Sequence, residues 1–134
     1  MMLKYSIQNK AEPGTHALPF YASSEEAVLS TIIIPEAEPQ YKIIIEAVLE
    51  WENPLLNWDI GELDVRLRRN STSGPVLQWT QESCYERGIV RLSFEDSGPI
   101  PEGHIYCLTV QSVDNRACVT GPVELSAHVY APNV

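Results

Sequence analysis

Apolar and polar residues alternate along most of the chain. The longest such run covers residues 41–52. Tyr41, Ile43, Ile45, Ala47, Leu49 and Trp51 fall on one side of an extended strand, and Lys42, Ile44, Glu46, Val48, Glu50 and Glu52 on the other. Successive side chains of a strand point to opposite faces, whereas on a helix the same apolar residues would be spread around the cylinder. The first set is therefore expected in the core.

The pattern repeats. Leu3, Tyr5 and Ile7 alternate with Lys4, Ser6 and Gln8, and Ala27–Ile34 is a β-branched run ended by Pro35. Leu63, Val65 and Leu67 alternate with Asp64, Arg66 and Arg68, and a short strand is expected over Val76–Gln81. Val90, Leu92 and Phe94 form one face of a further strand, as do Tyr106, Leu108 and Val110, and then Val123, Leu125, Ala127 and Val129. Between these runs stand turn formers, among them Pro13-Gly14, Asn53-Pro54, Ser73-Gly74-Pro75, Ser97-Gly98-Pro99, Asp114-Asn115 and Gly121-Pro122. Proline removes a ladder donor, so ten prolines placed mostly at strand ends fit a β-sandwich. Ser23–Leu29 is a minor helix candidate, capped by Ser24 with Glu25 and Glu26 in its first turn.

About eight strands with one buried face each predict an all-β, antiparallel β-sandwich. A jelly roll is favoured over an immunoglobulin-like sandwich, because Cys84, Cys107 and Cys118 enclose no tryptophan. Residues 1–22 are expected as an extended N-terminal arm or connector, and residues 23–134 as the jelly-roll domain.

Composition narrows the partners. The chain has 134 residues, 9 basic and 18 acidic, for a net charge of −9. That is one domain's length, and such a charge repels phosphate, so neither nucleic acid nor an anionic membrane is an expected partner. The start, MMLKYSIQNK, is interrupted by Lys4, Ser6 and Gln8 before any secretory apolar run can form. No signal peptide is seen, so synthesis is expected in the cytoplasm, and an end point on a spore or cell surface would need another route. Three cysteines leave at least one outside any intrachain bridge, and intermolecular disulfides through Cys84, Cys107 or Cys118 are a candidate. No cysteine or histidine spacing suits zinc. Asn70-Ser71-Thr72 fits a glycosylation sequon and reads as a polar loop.

Candidate chemistry is thin. His16, His104 and His128 read as surface or rim residues, and an offset of three puts His104 and Cys107 on opposite faces of one strand. Glu46, Glu50 and Glu52 form a solvated stripe and not a facing pair of the kind glycosidases use. They are candidates to face Arg66 and Arg68 on a neighbouring strand or subunit. Asp59, Glu62 and Asp64 around Gly61 do not match a calcium loop. Leu55, Leu56 and Trp58 are apolar in a loop. Three roles fit them: capping the core, making a subunit contact, or stacking on sugar together with Trp79 or Tyr85. No catalytic, cofactor-binding or metal site is expected, and no enzyme activity.

The run of segments YKIIIEAVLEW, LDVRLRRNSTSGPVL, RGIVRLSFED, PEGHIYCLTVQS and VELSAHVYA, within residues 26–131, resembles jelly rolls of the tumour-necrosis-factor and complement type. It is similar in particular to bacterial spore-surface proteins and endospore-appendage subunits. The cysteine-rich N-terminal connector of some appendage subunits is missing. The resemblance implies a structural, self-assembling subunit of a fibre or layer, a homo-oligomer or filament without catalytic residues. In this reading the arm adds a strand to a neighbouring subunit and inserts Leu3, Tyr5 and Ile7 there. An ordinary first strand paired in its own sheet is the competing expectation. The alternative function is a carbohydrate- or receptor-binding module with a glycan or surface-protein ligand.

Overall fold

Strand content follows directly from the alternation. A computed structural model describes residues 1–15, 17–35, 37–54, 60–97 and 104–133. Nine strands appear among them: β1 (Met2–Ala11), β2 (Phe20–Ala22), β3 (Ala27–Ile34), β4 (Lys42–Glu52), β5 (Gly61–Arg69), β6 (Val76–Cys84), β7 (Arg87–Ser97), β8 (His104–Gln111) and β9 (Ala117–Ala131). Sheet A has the order β1-β9-β4-β7, with β2 also on β9, and sheet B the order β3-β8-β5-β6. All the pairings are antiparallel. Each sheet interleaves strands from the two ends of the chain, which is the jelly-roll arrangement.

The register of β4 is the expected one. Ile43, Ile45, Ala47, Leu49 and Trp51 are buried, while Lys42 and Glu46 are exposed. They meet Leu63, Val65 and Leu67 of β5 and Tyr106, Leu108 and Val110 of β8 in one core between the sheets. Full burial of each large aliphatic side chain contributes roughly 1.5–3 kcal/mol. Trp51 needs space to enter this core, and Gly88, its partner on β7, provides it. A Cβ at Gly88 would lie 2.8 Å from the indole nitrogen of Trp51.

Three features differ from expectation. The helix candidate at 23–29 is absent: Ser24 and Glu25 form a bend, and β3 begins at Ala27. Gly121-Pro122 is not a strand end, because β9 runs through it. The strand tolerates the proline because the ladder is interrupted there on both sides. On one side the partner changes from β2 to β1, and on the other β4 is out of register between Leu49 and Trp51. Gly121 supplies the required positive φ of 87°.

The third difference concerns the expected arm. Residues 2–11 are extended, but they pair with Val123–Ala131 of their own chain as the edge of sheet A. Tyr5 and Ile7 pack against the chain's own core, while Leu3 remains exposed. The period-two pattern that would suit docking on a neighbour serves equally well at home, where β9 lies within reach.

Candidate functional site on the outer face of sheet B

Sheet B turns Asp64, Arg66 and Arg68 outward because Leu63, Val65 and Leu67 face the core. Cross-strand pairing then fixes their neighbours. Arg66 stands between Thr109 of β8 and Trp79 of β6, and Asp64 between Gln111 and Gln81. Arg68 stands beside Cys107.

Glu26, just ahead of β3, reaches over this grid. Its carboxylate accepts two hydrogen bonds from Arg68, Nε to Oε2 at 2.6 Å and Nη2 to Oε1 at 2.8 Å. The Thr109 hydroxyl donates to Oε2. Arg66 Nη1 lies 3.8 Å from Oε1, and Arg68 Nη1 donates to the carbonyl of Gly74 at 2.6 Å. The Arg68 hydrogen bonds hold the Glu26 carboxyl down at about 2, against partial burial that pushes it up, with Thr109 and the nearby positive charges assisting. Bidentate, charge-assisted pairs of this kind are the strong ones.

Trp79 is positioned by the same grid. Its Nε1 donates to Asp64 Oδ1 at 3.3 Å, and the Arg66 guanidinium lies 5.5 Å from the ring centroid. Arg66 in turn donates to Gln111 Oε1 at 3.0 Å, and Gln111 Nε2 donates to the carbonyl of Ser24 at 2.6 Å. The indole nevertheless remains 54% exposed.

A second polar cluster closes one end of the sandwich. Asp96 of β7 accepts from the Tyr106 hydroxyl at 2.7 Å and from Arg69 at 2.8 Å, and His104 Nδ1 lies 3.1 Å from the same hydroxyl. Burial would raise the Asp96 carboxyl, but the Tyr106, Ser97 and Arg69 hydrogen bonds win and lower it. Burial also lowers His104, against the pull of Asp96, and pushes Tyr106 up. This cluster ties β7 of sheet A to β5 and β8 of sheet B, so its role is structural.

The residues singled out from sequence are dispersed. Leu55, Leu56, Trp58, Asp59 and His16 lie outside the described residues. Cys84, Cys107 and Cys118 are free thiols, the first half-buried and the other two buried. Burial pushes the Cys84 and Cys118 thiols up, away from the reactive thiolate form. Glu46, Glu50 and Glu52 lie on sheet A, across the sandwich from Arg66 and Arg68, so stripe and cluster do not face each other on neighbouring strands of the chain. Their place is taken by Glu26. The one local signal for Glu26 is the acidic pair Glu25-Glu26, which by sequence suits a helix start. His128 bonds Ser6 across the β1–β9 pair at 2.7 Å, on an open face. No three histidine, cysteine or acidic side chains converge on a metal position among the described residues.

No family model matches the chain, and no curated protein matches it. Among solved structures it is similar to an arabinose-bound GH51 α-L-arabinofuranosidase, at 15% identity and a TM-score of 0.37. That match covers 97% of this chain and 23% of the other, so the chain spans less than a quarter of that enzyme's length. A likeness of this degree carries no argument about activity.

Proposed function

We propose that the protein is a structural subunit of a surface fibre or layer and that it self-associates side to side through its sheet edges. The observation that carries this reading is the parity of the strands. In the order β1-β9-β4-β7 every neighbour is antiparallel, so the two edge strands, β1 and β7, run in opposite directions. A copy displaced along the sheet therefore brings its β7 antiparallel to β1. The same holds in sheet B for β6 and β3. β1 contacts β3, and β6 contacts β7, so each side of the sandwich carries one edge from each sheet. Both sheets can continue at once. A head-to-tail contact of this sort does not close and propagates into a filament.

The edges are long, with 10 residues in β1 and 11 in β7. Exposed edges template the addition of further strands. One β7 carbonyl, that of Ser93, is taken by the Gln78 side chain at 3.2 Å. Exposed Met1, Met2 and Leu3 add apolar surface at the start of β1. Assembly here uses the outer edge of a strand already paired at home, in place of an arm donated to a neighbour.

Sedimentation velocity and negative-stain microscopy test this. The wild type should form linear oligomers that lengthen with concentration. Ile89→Lys combined with Ser93→Lys adds positive charge to β7, against an incoming β1 that itself carries Lys4 and Lys10, and should leave a folded monomer. A wild type that stays monomeric at its solubility limit, or assemblies unchanged in the double variant, would refute edge pairing.

A further inference from the structure

We infer that the outer face of β5 and β6 is a platform for a neutral glycan, centred on Trp79 and bounded by Arg66, Asp64 and Gln81. The four residues are two cross-strand pairs, Arg66 with Trp79 and Asp64 with Gln81, on strands spaced about 4.8 Å apart. They form one contiguous patch along the two strands, a shape that suits a polymer laid across the sheet.

The aromatic ring is exposed and yet held. Asp64, itself only 5% exposed, fixes the indole nitrogen, and Arg66 fixes one ring face. Arg66 is fixed through Gln111 to the backbone at Ser24. A side chain orientated before the ligand arrives loses little entropy on binding. Tryptophan combines large contact area with few rotatable bonds, and a sugar offers a C–H face that such a ring covers. Hydroxyls beside that face need planar donors and acceptors. The exposed Gln81 amide has no partner among the described residues, and Arg66 keeps N–H groups beyond the one bound to Gln111.

Charge selects the class of glycan. Asp64 and Arg66 cancel, as do Glu26 and Arg68 beside them. The four residues of the patch sum to zero, with exposed Glu62 at one end, on a chain of net charge −9. Carboxylated or sulfated polymers gain nothing from the patch and are repelled by the rest of the surface. The platform is independent of edge pairing, because its side chains point away from the sheet and not along it.

Affinity electrophoresis through native gels containing soluble neutral polysaccharides (β-glucan, galactomannan and xyloglucan, each alone) tests the inference, with heparin and polygalacturonate as anionic counterparts. At least one neutral polymer should retard the protein. Trp79→Ala should abolish the retardation with the circular dichroism spectrum unchanged, Gln81→Ala should weaken it several-fold, and Trp79→Phe should restore part of it. The monomeric Ile89→Lys/Ser93→Lys variant should be retarded like the wild type. The inference is overturned if no neutral polymer retards the protein, if heparin or polygalacturonate does so more strongly, if Trp79→Ala still binds, or if the monomeric variant loses binding.

Discussion

The two outer faces of the sandwich use similar residues to different effect. On sheet A, Lys42 and Glu95 pair at 3.3 Å with side chains 52% and 54% exposed. On sheet B, Arg68 and Glu26 pair at 2.6 Å with 17% and 22% exposed. The sheet A pair is a single contact in water, of the kind that contributes about 0–1 kcal/mol and is screened by salt. The sheet B pair is bidentate, has a buried threonine hydroxyl beneath it, and shares its arginine with a backbone carbonyl. What separates them is the number of fixed partners and the degree of exclusion from solvent. Sheet A therefore keeps a solvated face, while sheet B holds side chains in place around an exposed ring.

The largest effects should fall where the two sheets do not differ. Ile45→Ala in sheet A and Leu67→Ala in sheet B each empty a fully buried site and should cost about 2–5 kcal/mol in denaturant unfolding. Comparable costs would confine the contrast to the outer faces, and a loss in only one would break it. On those faces, Glu26→Ala should cost about 2–3 kcal/mol, because it removes two charge-assisted hydrogen bonds from Arg68 and the acceptor of the buried Thr109 hydroxyl. Glu95→Ala should stay within about 0.5 kcal/mol.

Acid should sharpen the same contrast. Glu26 is lowered from 4.5 to about 2 in the folded chain, so between those values the unfolded state binds the extra proton. Its contribution is complete above pH 4.5 and is lost as the pH falls toward 2. The loss is about 2 kcal/mol after allowance for partial exposure. Asp96, also lowered, adds to the wild-type decline. Glu26→Gln should therefore flatten the stability profile in this range without making it level. The smallest effect is kinetic. Cys107 is buried on the outer side of sheet B and Cys118 on sheet A, so both should react with a thiol reagent well after half-buried Cys84. Rapid labelling of Cys107 in the folded protein would show that the cover on sheet B is looser than described.

The candidate site was only half legible. The outward set Asp64, Arg66 and Arg68 could be read from alternation with three core residues, and Trp79 stood out as an aromatic in a short strand. Glu26 could not be read, because its partners lie 42 and 83 residues away and nothing local distinguishes it from Glu25. The β1 segment was likewise ambiguous: alternation makes a strand without naming the strand that receives it.

Period two is a property of neighbours in the chain, so the sequence alone determined that this protein is all-β, which residues of its central strands face the core, and which side of the strand over residues 42–52 is buried. Proline and glycine marked most strand ends for the same local reason. They misled at Gly121-Pro122, where the break in pairing on both sides of β9 depends on β1, β2 and β4 together. Only the tertiary structure decided which strands became edges, that the acidic stripe and the arginines lie on opposite faces, and that Glu26 completes the arginine pair. Hydrogen-bond partners and exclusion from water are set by segments distant in sequence, and no local pattern encodes them.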